Sequence, residues 1–226
     1  MEEIKINDSA NKMMLGAKND IGIQRFGLMS NFAWYDDPRR MAFHFARYKF
    51  VSKMLSGKEN VLEVGCADAF GTRVVVQEVK NLLAIDIEPA FIQDVNERMC
   101  DKWHFNTQVH DVLDSPIQGK FDGAYSLDVL EHISSKNEDV FIKNICLSLT
   151  EYGVLIIGMP SLESQQYASP TSKEGHINCK SGLDLKVFLE KYFHNVFLFS
   201  MNDEVVHTGY SKMAHYLIGV CCMKKL

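Results

Sequence analysis

The chain has 226 residues, 46% of them hydrophobic, with 24 basic and 29 acidic side chains and a formal charge of −5. That length suits one domain with a small appendage, and the apolar fraction is enough for a three-layer core. The acidic balance argues against non-specific nucleic-acid binding, and no apolar run has the length of a membrane span or the charged-then-apolar start of a secretory leader.

Residues 1 to about 30 are polar and mixed, and read as irregular structure or a short helix. Asp37-Pro38 is a helix start, with Asp37 as N-cap and Pro38 in the first helical position. Met41, Phe45, Tyr48, Val51 and Leu55 follow at helical spacing, and Gly57 ends the run. Arg39, Arg40, Arg47, Lys49 and Lys53 fall on the other face of this helix, read as a solvated basic face. Residues 1–56 are thus expected to form a helical or irregular appendage, and 57–226 the main domain.

The stretch Asn60 to Thr72 organises that domain. Val61, Leu62 and Val64 form a short apolar run with β-branched residues, the mark of a buried strand. Gly65 stops it, Gly71 follows, and Val74-Val75-Val76 starts a helix, so this is the first βα unit of a nucleotide-binding α/β domain. The spacing Gly65-x-Ala67-x-x-x-Gly71 fails the dinucleotide pattern, and no P-loop lysine follows. Glu63 and Asp68 beside the turn would repel a pyrophosphate at close range. They suit a ligand with an ammonium or sulfonium group and no phosphate, which describes S-adenosylmethionine. Leu82 to Ile85 is a second strand. It ends at Asp86, where an acid can accept bonds from both ribose hydroxyls.

Glu88-Pro89 opens a helix over about 89–100, with Phe91, Ile92, Val95 and Met99 on one side. A third short strand covers Thr107 to Val109, followed by His110-Asp111-Val112. Phe121 to Leu127 is the fourth strand and runs into Asp128-Val129-Leu130-Glu131-His132. Residues 136–149 read as a helix and Gly153 to Met159 as a fifth strand that Pro160 stops. The polar stretch Ser161 to Lys180 is a long loop, and loops of that length are usually functional. It carries Gln165, Gln166, Tyr167, His176 and Asn178. Ser181 and Asp184 make a capping box for a helix to about Tyr192. Val196 to Phe199 and Ala214 to Cys222 are the last strands. The polar connection Ser200 to Lys212 shapes either the acceptor pocket or a homodimer contact.

Three of these runs, Val61 to Ala67, Ala84 to Ile87 and Leu127 to His132, resemble the class I S-adenosylmethionine-dependent methyltransferases, small-molecule type. The resemblance implies a Rossmann-like three-layer α/β/α sandwich with a seven-stranded, mostly parallel sheet and an antiparallel C-terminal hairpin. It implies cofactor binding by Glu63, Gly65, Cys66, Ala67, Gly71, Asp86, Ile87, Asp111, Val112, Leu127 and Asp128. Asp111 and the Val112 N–H would meet the adenine, Asp122 would brace its strand, and an N-terminal segment with Trp34, Tyr35 and Arg47 would form a lid over the cofactor mouth. Ala67 stands where the family usually has glycine, which is tolerable if its φ stays negative.

Methyl transfer from a sulfonium needs mainly two positioned reactants, and a base when the acceptor is a hydroxyl. His132 and His176 are the candidate catalytic bases. Asp128, Glu131 and His132 fall one turn apart and His176 can join them as metal donors, but the adopted reading has no metal. The expected function is methyl transfer to a small molecule, at a hydroxyl of a sugar or glycan precursor or at an amine. The competing classes are an RNA 2′-O-methyltransferase using the basic helix and a non-catalytic S-adenosylmethionine-binding subunit. The six cysteines, Cys66, Cys100, Cys146, Cys179, Cys221 and Cys222, form no Cys-x-x-Cys and read as reduced thiols of a cytoplasmic protein.

Overall fold

The computed structural model describes residues 6–225. Its elements run α1 (Ser9–Ile21), α2 (Leu28–Asp36), α3 (Arg39–Met54), β1 (Asn60–Val64), α4 (Thr72–Val76), β2 (Asn81–Asp86), α5 (Pro89–Arg98), β3 (Asn106–Val109) and β4 (Phe121–Leu127). They continue through α6 (Glu138–Ser148), β5 (Leu149–Pro160), α7 (Pro170–Gly175), α8 (Gly182–Glu190), β6 (Phe193–Asn202), β7 (Val205–His207) and β8 (Tyr216–Lys224), with 3-10 turns at Leu130–His132, Glu163–Tyr167 and Ser211–Met213. The strands form one sheet in the order β3-β2-β1-β4-β5-β8-β6-β7. β1 to β5 pair in parallel, and β8 inserts antiparallel between β5 and β6.

Strand residues alternate between two cores, as the two-residue period of a strand requires. Leu155 and Ile157 pack with Phe141, Ile145, Leu185 and Leu189 of α6 and α8, while Ile156 points to the other face. There it meets Tyr48, Val51, Leu55, Val75, Ile92 and Val95 of α3, α4 and α5. This is the expected sandwich. The sheet has an eighth strand, because β7 pairs with β6 from Ser200↔His207 to Asn202↔Val205. The turn between them places Asp203 at φ 49, a left-handed geometry that the polar sequence of the connection did not announce.

The N-terminal stretch is more regular than its composition suggests. Asp8 caps α1 by accepting from the Ala10 and Asn11 N–H groups, and α2 follows; the first five residues lie outside the described part. The α3 cap falls one residue late, at Pro38, while the Asp37 carboxylate still accepts from the Arg39 N–H at 3.2 Å. Phe45 is 37% exposed rather than buried with its periodic neighbours. Arg47 leaves the basic face altogether and turns inward to Asp128. The loop of 161–180 is largely structured: a 3-10 turn at Glu163–Tyr167 leads to α7, which Ser169 caps. All six cysteines are free, and among the described residues no helix is long and apolar enough to cross a membrane.

Asp122 shows how the sheet is tied at its lower edge. Its carboxylate accepts from the Glu59 and Asn60 N–H groups, both at 2.9 Å, where β1 begins. Asp122→Ala removes two charge-assisted bonds at an exposed edge and is expected to cost about 1–2 kcal/mol in denaturant unfolding. Cofactor affinity should stay within about twofold, since the residue lies at the opposite end of the strands from the cavity; a tenfold loss of affinity would contradict this.

Candidate functional site

The turn after β1 is shaped by close approach. The Gly65 and Cys66 N–H groups both donate to the Ile85 carbonyl, at 2.8 and 3.0 Å. Gly65 has φ 76, and a Cβ there would lie 2.3 Å from Val129 Cγ2, so glycine is required on both counts. Ala67 takes φ 45, not the negative value its side chain prefers. A left-handed alanine costs about 1–2 kcal/mol. Asp86 offsets this by accepting the Ala67 N–H at 2.8 Å, and its other oxygen accepts the Glu88 N–H at 2.9 Å.

A cavity of about 320 Å³ opens at the carboxyl ends of β1, β2 and β4. Of the candidate residues, Gly65, Ala67, Asp86, Ile87, Asp111, Val112, Asp128 and His132 line it. Glu88 and His110 line it too; His110 directly follows β3 and Glu88 is the N-cap of α5, the positions by which they were findable. Val129, Ile133 and Phe141 add an apolar wall that short sequence motifs do not reveal. Asp111 also accepts the Leu113 N–H at 2.8 Å, which holds its loop in a tight turn.

Four candidate cofactor residues stand behind the wall. Cys66 and Leu127 are buried in the core around Tyr48, and Gly71 backs onto the Tyr48 ring, which a Cβ would meet at 2.5 Å. Glu63 is 1% exposed. Tyr48 and Thr72 donate their hydroxyls to its two oxygens at 2.7 and 2.6 Å. Burial outweighs these bonds and pushes the Glu63 carboxyl up to about 7.

The other end of the cavity holds a cluster of charged and imidazole groups. Asp128 sits at φ 58 and pairs with Arg47 at 2.7 Å. The Arg47 guanidinium lies 3.8 Å from the Tyr216 ring centroid. Glu131 is 0% exposed, and among the described residues neither carboxylate oxygen has a hydrogen-bond partner. Burial and the nearby Asp128 carboxylate push its carboxyl well above the usual range. His132 Nδ1 meets the Gly175 carbonyl at 2.9 Å, and His176 Nδ1 meets Gln165 Oε1 at 2.8 Å. Both partners are acceptors, so each imidazole carries its proton on Nδ1 and leaves Nε2 free. Donor atoms of Glu131, His132 and His176 lie within 4.8 Å of one another. His132 lines the cavity, while His176 stands behind it from the end of α7.

The N-terminal helices reach the glycine turn through Asp68. Its buried carboxylate accepts from the Ser30 N–H and hydroxyl, both at 2.7 Å. Trp34 stacks on Phe26, and Phe26 meets Phe70 of the turn at a tilt, with centroids 5.7 and 5.2 Å apart. Tyr35, by contrast, is 87% exposed. On the basic face, Arg39 pairs with Asp37, Arg40 with Asp36 and Lys53 with Glu78.

Residues 62–157 match the family model described as a methyltransferase domain. Among solved structures, the chain is similar to the N-methyltransferase NodS of Bradyrhizobium japonicum, crystallised with S-adenosyl-L-homocysteine. That match has 19% identity and a TM-score of 0.65, covering 86% of this chain and 92% of that one. It is also similar to a chain from the Haloferax volcanii complex between the Trm112 methyltransferase activator and a methyltransferase, with 13% identity, a TM-score of 0.67 and coverage of 88% and 99%. A TehB-like methyltransferase of Corynebacterium glutamicum gives 16% identity, a TM-score of 0.63 and coverage of 86% and 97%. No curated protein matches the chain.

Glu63 yields a test by pH. Its folded value of about 7 lies above the ordinary 4.5, so its contribution to stability is present below about pH 4.5 and lost as pH rises through 7. Glu63→Gln keeps the shape without the charge. The variant is expected to be more stable than the parent at pH 8 by up to about 3 kcal/mol, with the gap closing towards pH 5. Equal gaps at the two pH values in chemical denaturation would contradict the assignment.

Proposed function

We propose that this chain, which carries a class I S-adenosylmethionine-dependent methyltransferase domain, moves the sulfonium methyl onto a small polar acceptor, a hydroxyl of a sugar or glycan precursor before an amine. The observation that carries the reading is the order of groups along one cavity. Asp111 lies just past β3, Asp86 ends β2, Gly65 follows β1, and Asp128 and His132 follow β4. The strand order β3-β2-β1-β4 lays these groups out in a row at the carboxyl edge, where doubly wound sheets bind ligands. In this reading Asp111 would face the adenine, Asp86 the ribose hydroxyls, and the glycine turn the amino-acid portion, which would put the methyl towards Asp128 and His132.

The reaction is an in-line displacement. The acceptor oxygen forms a bond to the methyl carbon as the carbon–sulfur bond breaks, sulfur keeps the electron pair, and the hydroxyl proton leaves. Most of the rate comes from holding the two reactants in line. His132 and His176, each with a free Nε2, are the groups that act on the acceptor. The three ion pairs on α3 neutralise much of the basic face an RNA would need, which favours a small acceptor. A subunit that only binds the cofactor has no need of a buried carboxylate and two oriented imidazoles beside the methyl.

Labelled methyl from S-adenosylmethionine, offered with a cell lysate split into small-molecule, RNA and protein fractions, is expected to appear in the small molecules. Label confined to RNA, or none in any fraction, would overturn the reading. With the labelled acceptor in hand, His132→Ala and His176→Ala should each lower kcat more than about tenfold, the low end of what a proton-handling group contributes. A loss well below that would remove that residue from the reaction.

A further inference from the structure

We propose that Glu131, His132 and His176 hold a first-row divalent cation at the methyl end of the cavity, and that the ion takes the acceptor hydroxyl as a further ligand. The second half rests on the methyltransferase reading; the first does not.

The clearest sign is a missing partner. Glu131 is fully buried, and both its oxygens lack a hydrogen-bond partner among the described residues. A bare buried carboxylate is costly, and such groups are found paired or on metals. Glu63 offers the contrast in the same fold, since two hydroxyls serve its oxygens. Glu131 has no such donor, and a cation supplies what is lacking.

The imidazoles are set for the same ligand. A metal-ligating histidine usually donates its second ring N–H to a carbonyl or carboxylate, which fixes the tautomer. His132 does this on the Gly175 carbonyl and His176 on Gln165 Oε1. Gln165 is itself oriented, because its amide N donates to the Ser161 carbonyl at 3.2 Å. Donor atoms within 4.8 Å of one another need to draw in by up to about 0.8 Å each to sit about 2.0–2.2 Å from one ion. Asp128, which the sequence placed with this group, pairs with Arg47 instead. One carboxylate and two imidazoles favour an ion of the Zn²⁺, Mn²⁺ or Co²⁺ kind over Mg²⁺. Three protein ligands leave positions open, and His132 borders the cavity.

With the ion bound, the imidazoles would act on the acceptor by holding the ion, in place of the proton-accepting role that Nε2 has in a metal-free reaction. The ion lowers the pKa of the bound hydroxyl, whose proton leaves to water. The resulting oxygen forms the bond to the methyl carbon, the carbon–sulfur bond breaks, and the pair goes to sulfur. The ion keeps its oxidation state throughout.

The test is titration of the full, chelator-treated chain with Co²⁺, followed by visible absorption and by equilibrium dialysis, with no methyl donor or acceptor present. The expected result is one equivalent bound. Outer-shell changes alone weaken metal sites about 10–100-fold, so Glu131→Gln and His176→Asn should each weaken binding at least about a hundredfold. His176 lies on a surface segment, so its variant keeps the test decisive if the Glu131 variant does not fold. No saturable binding, or binding unchanged in a folded variant, overturns the site. A methyl-transfer rate unchanged after the ion is stripped overturns the hydroxyl-ligand half alone.

Discussion

One carboxylate, Asp86, holds the site in shape. Its two oxygens accept the Ala67 and Glu88 N–H groups, so the end of β2 is tied to the turn after β1 and to the start of α5. Charge-assisted bonds of this kind contribute about 1.5–3 kcal/mol each, more than a left-handed alanine costs. The turn can therefore keep Gly65 and Ala67 at positive φ, which brings the backbone against Val129 of the turn after β4. Three strand ends are thus placed relative to one another by a few short contacts, and the cavity is what lies between them.

A second convergence organises the opposite end. Arg47 carries α3 to Asp128 after β4 and stacks on Tyr216 of β8. Asp128, at φ 58, is a strained residue that such an ion pair can hold, and strain of this kind gathers at functional sites. Beyond this pair, the Glu131 carboxylate has no hydrogen-bond partner among the described residues and stands beside two oriented imidazoles. The N-terminal helices close the circuit through Ser30 and Asp68, so the glycine turn is held from above as well as from β2.

The sequence was most legible where local pattern decides structure. The apolar run of β4 gave its limits, Phe121 to Leu127, to the residue, and Ser181 with Asp184 marked the start of α8. It was least legible where a distant partner decides. Arg47 reads as one more cation on a helix face, because its partner lies 81 positions on. Glu63 reads as a ligand acid, because nothing local shows that Tyr48 and Thr72 will enclose it. The φ of Ala67 follows from a bond to Asp86, and the short β7 from a turn that positive φ at Asp203 permits. Glu131, His132 and His176 were visible as residue types, but the unpartnered carboxylate of Glu131 appears only once the core has closed around it.

The central claim is that the Gly65–Asp86–Asp111 edge is a binding site for S-adenosylmethionine. Titration calorimetry with S-adenosyl-L-homocysteine tests it most directly, on the parent chain and on Asp86→Ala. The account predicts one site on the parent, and an affinity at least about tenfold lower in the variant, about 1.4 kcal/mol. No heat of binding with the parent, or equal affinity in the two proteins, would contradict it.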